Sequence, residues 1–337
     1  MKKIKYIFIR ICSLNYEQMI RTAKLVNKRT GKSSIAVFFD MIYCGFKYMA
    51  GYMDYLVFEF YNLTADERKT YITRGENNKI VSRLNNKEYW NIFEDKTIFN
   101  ETFSDFLGRR WLDLRKTSPE DFEKFVRSFD KIVVKPINGT CGRGIEFIVT
   151  SEIQNCRVLY NRLLENKQCM IDEYVPQNKE LARLYPISLN TVRLVTILNN
   201  GLPTVVFAAL RVGNGKMVDN LNSGGMAAVI NLDSGIITKP AADKDGFAYG
   251  VHPYTKVEFA NFKIPRFDEA IDLVKRAAVV VPQVGYVGWD VAITDSGVLL
   301  IEANHFPGND IYQFQVHLDN KIGLLPRFKE AMGEKID

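Results

Sequence analysis

The segment Val133-Val134-Lys135-Pro136-Ile137-Asn138-Gly139-Thr140-Cys141-Gly142-Arg143-Gly144-Ile145 sets a lysine at the end of one apolar run and three glycines before the next. Glycines let backbone N–H groups turn toward a polyphosphate, and the lysine would place one cation on it. A glycine-rich turn between strands is equally compatible with a plain hairpin. A second group lies in Gly288-Trp289-Asp290-Val291 and Leu300-Ile301-Glu302-Ala303-Asn304. Glu302 and Asn304 are two apart and project from the same face of a strand; Asp290 faces them if the two segments pair across Asp295-Ser296-Gly297. Three oxygen donors on one sheet face suit a hard Mg²⁺ (or Mn²⁺) ion whose shell is completed by nucleotide phosphates. The alternative, a cross-strand acid pair with a capping asparagine, costs stability because like charges then face each other.

These groups need strands and turns to hold them. Lys131 to Val134, Ile145 to Val149 and Gln168 to Tyr174 read as strands, and Ser151 to about Glu165 as a helix. Ser118-Pro119-Glu120-Asp121 reads as a cap, a first-turn proline and two acids opening a helix. Thr191 to Leu198 and Thr204 to Val212 flank Asn199-Asn200-Gly201, a hairpin signal. Gly225 to Asn231 reads as another strand, and Asp268 to Val280 as an amphipathic helix. From Tyr61 to Asn91 the chain reads as helix and loop, with breaks at Asn77-Asn78 and Asn85-Asn86. Strand-rich segments with interspersed helices give an α+β body on antiparallel sheets.

Composition bounds the rest. The chain has 337 residues, 47% of them hydrophobic and 25% charged, as in a globular protein with about two domains. No apolar run approaches the ~18 residues of a spanning helix, and Arg10 cuts the apolar stretch from Tyr6 to Ile9 short of a secretory signal. The expectation is a cytoplasmic protein, with a peripheral seat at the inner membrane face as the alternative. Five widely spaced cysteines and three histidines form no zinc motif and read as reduced, structural groups.

Charge is uneven. Net charge is +6, yet residues 1 to 34 alone carry +8, leaving the other 303 residues at −2. An aromatic stretch follows at once, with Phe38, Phe39, Tyr43, Phe46, Tyr48 and Tyr52 among its members. Two readings stand: residues 1–61 lie on an anionic membrane surface, or a solvated basic helix precedes an aromatic helix packed on the body. Nucleic acid is not expected, because cations and aromatics follow one another without interleaving and no nucleic-acid motif accompanies them. Arg29-Thr30-Gly31-Lys32-Ser33 is no phosphate loop: Val26 stands where the motif needs its first glycine.

The lysine, glycine turn and oxygen donors, in this order, resemble the ATP-grasp superfamily over about residues 92 to 315. The resemblance implies two antiparallel-sheet α+β subdomains clamping ATP, here residues 92–188 and 189–337, behind a helical, basic and aromatic extension, residues 1–91. It implies nucleotide contacts from Lys96 in Glu94-Asp95-Lys96-Thr97, from Lys135 and from Gly139, Gly142 and Gly144. It further implies an adenine hinge at Glu173-Tyr174-Val175, a ribose contact from Glu180, and metal ligands Asp290, Glu302 and Asn304. Ser188-Leu189-Asn190-Thr191-Val192-Arg193 and Val218-Asp219-Asn220-Leu221-Asn222-Ser223-Gly224-Gly225 resemble the sugar-transfer associated subgroup of polysaccharide assembly, which implies substrate contacts from Asn190, Arg193, Asp219 and Asn220. On this resemblance the chain is a carboxylate–amine ligase working through an acyl phosphate on a sugar acid or amino acid in capsule or surface-glycan synthesis. Arg193, Arg211 and Lys135 are then its catalytic cations, the two arginines forking to the acceptor carboxylate or acyl phosphate. His305, next to Asn304, would either assist proton transfer or stand as a hydrogen-bonding bystander, the commoner role of a lone histidine. A kinase acting on a hydroxyl acceptor, and a non-catalytic nucleotide-binding scaffold at the membrane, are the alternatives.

Overall fold

The computed structural model describes residues 15–138, 144–309 and 311–334. Gly139 and Gly142 lie outside them.

The described residues open with a helical pair, α1 (Tyr16–Thr30) and α2 (Ser34–Lys47), followed by α3 (Tyr52–Val57) and α4 (Arg74–Leu84). Asn15 caps α1 by accepting from the Gln18 N–H, and Gly31 ends it with φ 75°. The helix α4 runs through Asn77-Asn78, where a break was expected. Asn77 faces inward and spends its amide on tertiary partners, donating to the Pro307 carbonyl at 2.9 Å and accepting from the Tyr286 hydroxyl at 2.8 Å, so it does not compete with the helix backbone. Then come α5 (Lys96–Thr102), β1 (Trp111–Asp113), α6 (Pro119–Arg127), β2 (Lys131–Lys135) and β3 (Glu146–Val149). Next, α7 (Cys156–Glu165) starts later than expected because Asn155 is its cap, accepting from the Arg157 and Val158 N–H groups. β4 (Met170–Glu173) and α8 (Lys179–Leu184) complete this part.

β1 to β4 form a four-stranded antiparallel sheet in the order β1-β4-β2-β3, with its own core including Phe122, Val126, Ile132, Val134, Leu163 and Ile171. The second sheet begins with β5 (Thr191–Asn199) and β6 (Leu202–Val212), joined by Asn200 and Gly201 at φ 50° and 78°, the left-handed pair a two-residue hairpin requires. It continues with β7 (Met226–Val229), while β8 (Ile236–Ile237) pairs outside it with β11 (Phe262–Lys263). β9 (Ala241–Asp243) and β10 (Ala248–Tyr249) form one edge; α9 (Phe267–Ala278), β12 (Tyr286–Ile293), β13 (Val298–Asn304) and α10 (Leu325–Ala331) finish the fold. The order of this seven-stranded sheet is β10-β9-β7-β6-β5-β12-β13, antiparallel throughout.

Alternation divides the large sheet between two cores. Val192, Leu194, Leu210, Trp289 and Val291 face α9, whereas Val195, Ile197, Phe207 and Tyr286 face the N-terminal helices and α10. The aromatic stretch is therefore partly core: Tyr55, Phe58 and Phe60 are buried. Phe93, Phe99 and Phe103 pack beside Trp289, which places α5 on the large sheet although its sequence neighbours lead into the small one. Among the described residues no helix is long and apolar enough to cross a membrane.

Asn85 joins the helical region to the sheet. Its side chain donates to the Tyr286 carbonyl at 2.8 Å and accepts from the Tyr286 N–H at 2.8 Å, and it is buried. Asn85→Ala should lower stability by about 1–3 kcal/mol, the cost of leaving buried backbone groups unpaired; the midpoint of urea denaturation reads it.

Candidate functional site

Register places charge in a row across three adjacent strands. Arg193 on β5 pairs in register with Asp290 on β12, and Asp290 with Glu302 on β13. Arg193 Nε and Nη2 donate to the two oxygens of Asp290 at 2.5 and 2.9 Å, a two-pronged pair. Arg211, from β6, divides its guanidinium between Asp290 at 2.6 Å and Asp219 at 2.9 Å. Asp219 in turn accepts from the Thr191 N–H at 3.1 Å and from the Thr191 hydroxyl. All four charged side chains of this network are buried.

A bulge makes Glu302 part of the row. The register of β13 against β12 shifts between Asp290 and Val291, so that Val291 pairs with Leu300 while Asp290 pairs with Glu302, and Ile301 is the extra residue. Leu300 therefore packs toward α9 while Glu302 sits on the opposite face, beside Asp290. Burial and the adjacent Asp290 push the Glu302 carboxyl up. Burial also opposes ionisation of Asp290, but Arg193 and Arg211 outweigh it and hold that carboxyl well below the usual range. Asn304, pairing in register with Gly288, extends the same face.

Two lysines approach Glu302 from other elements, and both lower its carboxyl electrostatically. Lys96 is the first residue of α5, whose cap Asp95 accepts from the Thr97 and Ile98 N–H groups; its Nζ lies 3.4 Å from the Ile137 carbonyl. Lys135 ends β2, with its Nζ 2.5 Å from Asp172 on β4. Beyond Lys135, Gly144 closes the glycine segment with φ 74°, and a Cβ there would come within 2.8 Å of Pro136 Cγ.

Sequence reasoning missed Arg109 and Asp172. Arg109 donates to the carbonyls of Leu300 and Ile301, at the bulge, and its Nε lies 3.4 Å from Asp172. The carboxylate that holds Lys135 is thus tied through Arg109 to the strand that carries Glu302. Burial pushes the Asp172 carboxyl up, yet Lys135 and Arg109 bring it below its ordinary range. The available signal was an acid within the apolar strand Met170-Ile171-Asp172, which cannot be buried without a cation.

Glu173, Tyr174 and Val175 follow β4 directly. The Glu173 carboxylate accepts from the Arg110 N–H at 3.0 Å, and Val175 packs with Ala292 and Leu299, beside the partly exposed Leu189 and Ile301. Ala292, Leu299 and Ile301, on the face of β12–β13 that carries Asp290, were missed, because nothing separates them from core residues in sequence.

Other expected residues sit differently. Glu180 is exposed on α8 and pairs with Arg183 at 2.6 Å. Asn190 is fully buried: its Nδ2 donates to Gln177, Leu181 and Tyr185 oxygens, and its Oδ1 accepts from the Gly213 N–H, which fixes the turn before β5. Arg193 and Arg211, expected to fork toward an acceptor, spend their forks on Asp290 and Asp219. The reason is tertiary: register brings carboxylates directly opposite them. Asn220 is half-buried and accepts from the Asn222 N–H at 2.9 Å. His305 packs against Trp90, ring centroids 4.5 Å apart and tilted by 40°, with its Nε2 3.5 Å from Glu94.

Asp290, Glu302 and Asn304 each present oxygen atoms of the kind a hard divalent cation takes, although both oxygens of Asp290 already accept from Arg193 and Arg211. Among the described residues no three His, Cys, Asp or Glu side chains converge on one point, so such a cation would take its remaining ligands from the Asn304 amide, water and substrate.

The profile of a family described as sugar-transfer associated ATP-grasp matches residues 75–332. No curated protein matches the chain. Among solved structures, the ATP-grasp ligase PsnB complexed with minimal precursor, Mg and ADP is similar at 14% identity and TM-score 0.45, over 74% of this chain and 62% of that one. N5-carboxyaminoimidazole synthetase from Staphylococcus aureus complexed with ADP is similar at 13% identity and TM-score 0.43, over 73% of this chain and 53% of that one. The chain thus spans less than two-thirds of either protein's length.

Arg109→Met should cost about 3–5 kcal/mol, as expected when one partner of a buried pair is removed. Adding Asp172→Leu should recover part of that loss, and a double-mutant cycle by urea denaturation measures the coupling.

Proposed function

We propose, for a chain that belongs to the sugar-transfer associated ATP-grasp family, that the face shared by Lys96, Lys135, Asp290, Glu302 and Asn304 binds ATP and activates a carboxylate for attack by an amine. The observation that carries this reading is the convergence on Glu302: two lysines from separate elements act on a carboxyl whose neighbour Asp290 is kept ionised by two buried arginines. Such a site joins cations for phosphate oxygens to oxygen donors for a metal.

In this reading the adenine lies at Glu173 to Val175 against Leu189, Leu299 and Ile301, with Glu180 near the ribose. Lys96, Lys135 and the glycine segment that includes Gly139, Gly142 and Gly144 neutralise the phosphates. Mg²⁺, when bound by Asp290, Glu302 and Asn304, supplies charge neutralisation for the β- and γ-phosphates. Arg193 and Arg211 hold Asp290 ionised and oriented, and Asn190 and Asp219 fix the loops around them. Asn220, half-buried on the Asp219 loop, is left to meet the acceptor. An acceptor carboxylate oxygen attacks the γ-phosphorus, forming an acyl phosphate as ADP leaves. An amine then attacks the acyl carbon, giving an amide, inorganic phosphate and a released proton. A sugar acid or amino acid of surface-glycan synthesis is the acceptor suggested by the family description.

Incubation with ATP, Mg²⁺, a panel of sugar acids and amino acids, and an amine should give an amide with ADP and phosphate by mass spectrometry. A phosphorylated acceptor without phosphate release would make the protein a kinase, and absence of turnover would leave a scaffold. Glu302→Gln should lower kcat by about 10²-fold or more with an unchanged circular dichroism spectrum; wild-type turnover in that variant would overturn the metal assignment. Because the Glu302 carboxyl is raised and must lose its proton to bind a cation, Mg²⁺ affinity should rise as pH rises through that raised value. Glu302→Gln should flatten this dependence, which calorimetry at several pH values checks.

A further inference from the structure

A groove of about 940 Å³ runs between the N-terminal helices and the segment that follows Asn304, near the upper end of small-molecule sites at roughly 300–1,000 Å³. Its lining is of two kinds. Phe306, Gly308 and Asn309, which continue the chain from Asn304, contribute together with Asn222 and Arg74. Met19, Met41, Ile42, Phe46 and Met53 of α1 to α3 contribute an apolar part. Methionines supply a soft, adaptable wall suited to a flexible hydrocarbon and less to one rigid shape.

An independent feature shares a residue with this apolar lining. Ile35, Phe39, Tyr43 and Phe46 recur along α2 at the spacing of one helix face, and they are 72, 63, 46 and 45% exposed. Phe46 belongs both to this stripe and to the groove. The helical pair that carries the stripe bears Arg21, Lys24, Lys28, Arg29, Lys32 and Lys47 against only Glu17 and Asp40. Lys47 stands at the stripe's border, its Nζ 2.6 Å from the Tyr43 hydroxyl. Aromatic and aliphatic side chains flanked by cations complement an anionic lipid surface.

Resting on the ATP-site reading above, we propose that the acceptor is an amphiphile drawn from an anionic membrane surface. The stripe of α2 lies on the lipid, the acceptor's hydrocarbon chain runs along Met41, Ile42, Phe46 and Met53, and its polar head reaches the segment beyond Asn304. This assigns to the helical extension a substrate-presenting role and accounts for a groove lined both by apolar side chains of α1 to α3 and by the segment that follows Asn304.

The test uses the full chain. Flotation with phosphatidylglycerol/phosphatidylcholine vesicles should retain the wild-type protein, and the double substitution Ile35→Ser with Phe39→Ser should reduce the bound fraction at least tenfold. Dodecyl phosphate should bind at least tenfold tighter than butyl phosphate by calorimetry, and Met53→Asp or, separately, Phe46→Gln should remove that difference. Equilibrium dialysis of ATP with Mg²⁺ runs alongside. Nucleotide binding with equal affinity for the two phosphates overturns the amphiphile inference alone. Chain-length-dependent binding in a wild-type chain that takes no nucleotide strikes instead at the ATP-site reading. A concentration-dependent dimer abolished by the serine substitutions, with vesicle binding unchanged, would make the stripe a contact between copies. Tighter dodecyl phosphate binding after deletion of residues 1–14 would make the groove the seat of that segment. Either result overturns the proposal.

Discussion

Arg193, Asp290 and Glu302 stand side by side on three neighbouring strands, and the sheet can bury them only because each carboxylate has a cation or a proton beside it. An isolated buried carboxylate would be expelled or neutralised. Two guanidinium groups prevent this for Asp290, and Arg211 also binds Asp219 on the loop leading into β7, where burial still outweighs it and pushes the Asp219 carboxyl up. Charge balance at this one place determines which loops are held and in what order the strands must pair. Replacing either arginine by an apolar residue would leave a charge that the surrounding aliphatic side chains cannot solvate.

The small sheet is tied to this row by a different device. The bulge at Ile301 disturbs the ladder next to the carbonyls of Leu300 and Ile301, and Arg109 occupies them while contacting Asp172. Asp172 holds Lys135, so one buried chain of polar contacts couples the strand that carries Glu302 to Lys135 across two sheets. An irregularity in one strand thereby serves two purposes, turning Glu302 to the face that carries Asp290 and supplying acceptors for the arginine that joins the sheets.

The helical extension is less separate than its composition implies. Tyr55, Phe58 and Phe60 pack into the same core as Val195, Phe207 and Tyr286 of the large sheet, and Asn77 and Asn85 bond to the Tyr286 hydroxyl and backbone. The aromatic stretch divides between two environments. One set of rings is core, and another, led by Ile35 and Phe39 on the outward face of α2, remains exposed.

Local chemistry alone determined a good deal. Left-handed Asn200-Gly201 makes the β5–β6 turn, Ser118 caps α6, Asp295-Ser296-Gly297 links β12 to β13, and the i, i+2 spacing of Glu302 and Asn304 puts both on one face. Such features rest on the φ a residue tolerates, the nearest N–H it can accept from, and the period of a strand, all of which are short-range. Only the tertiary structure decided that the forks of Arg193 and Arg211 are spent on carboxylates, that Asn190 is a buried brace, that α4 passes through Asn77 unbroken, and that Arg109 bridges the sheets. Each of these depends on which atoms from distant segments arrive opposite a buried polar group. A buried donor or acceptor must be paired by whatever the fold brings to it, and residue type and spacing do not specify that partner.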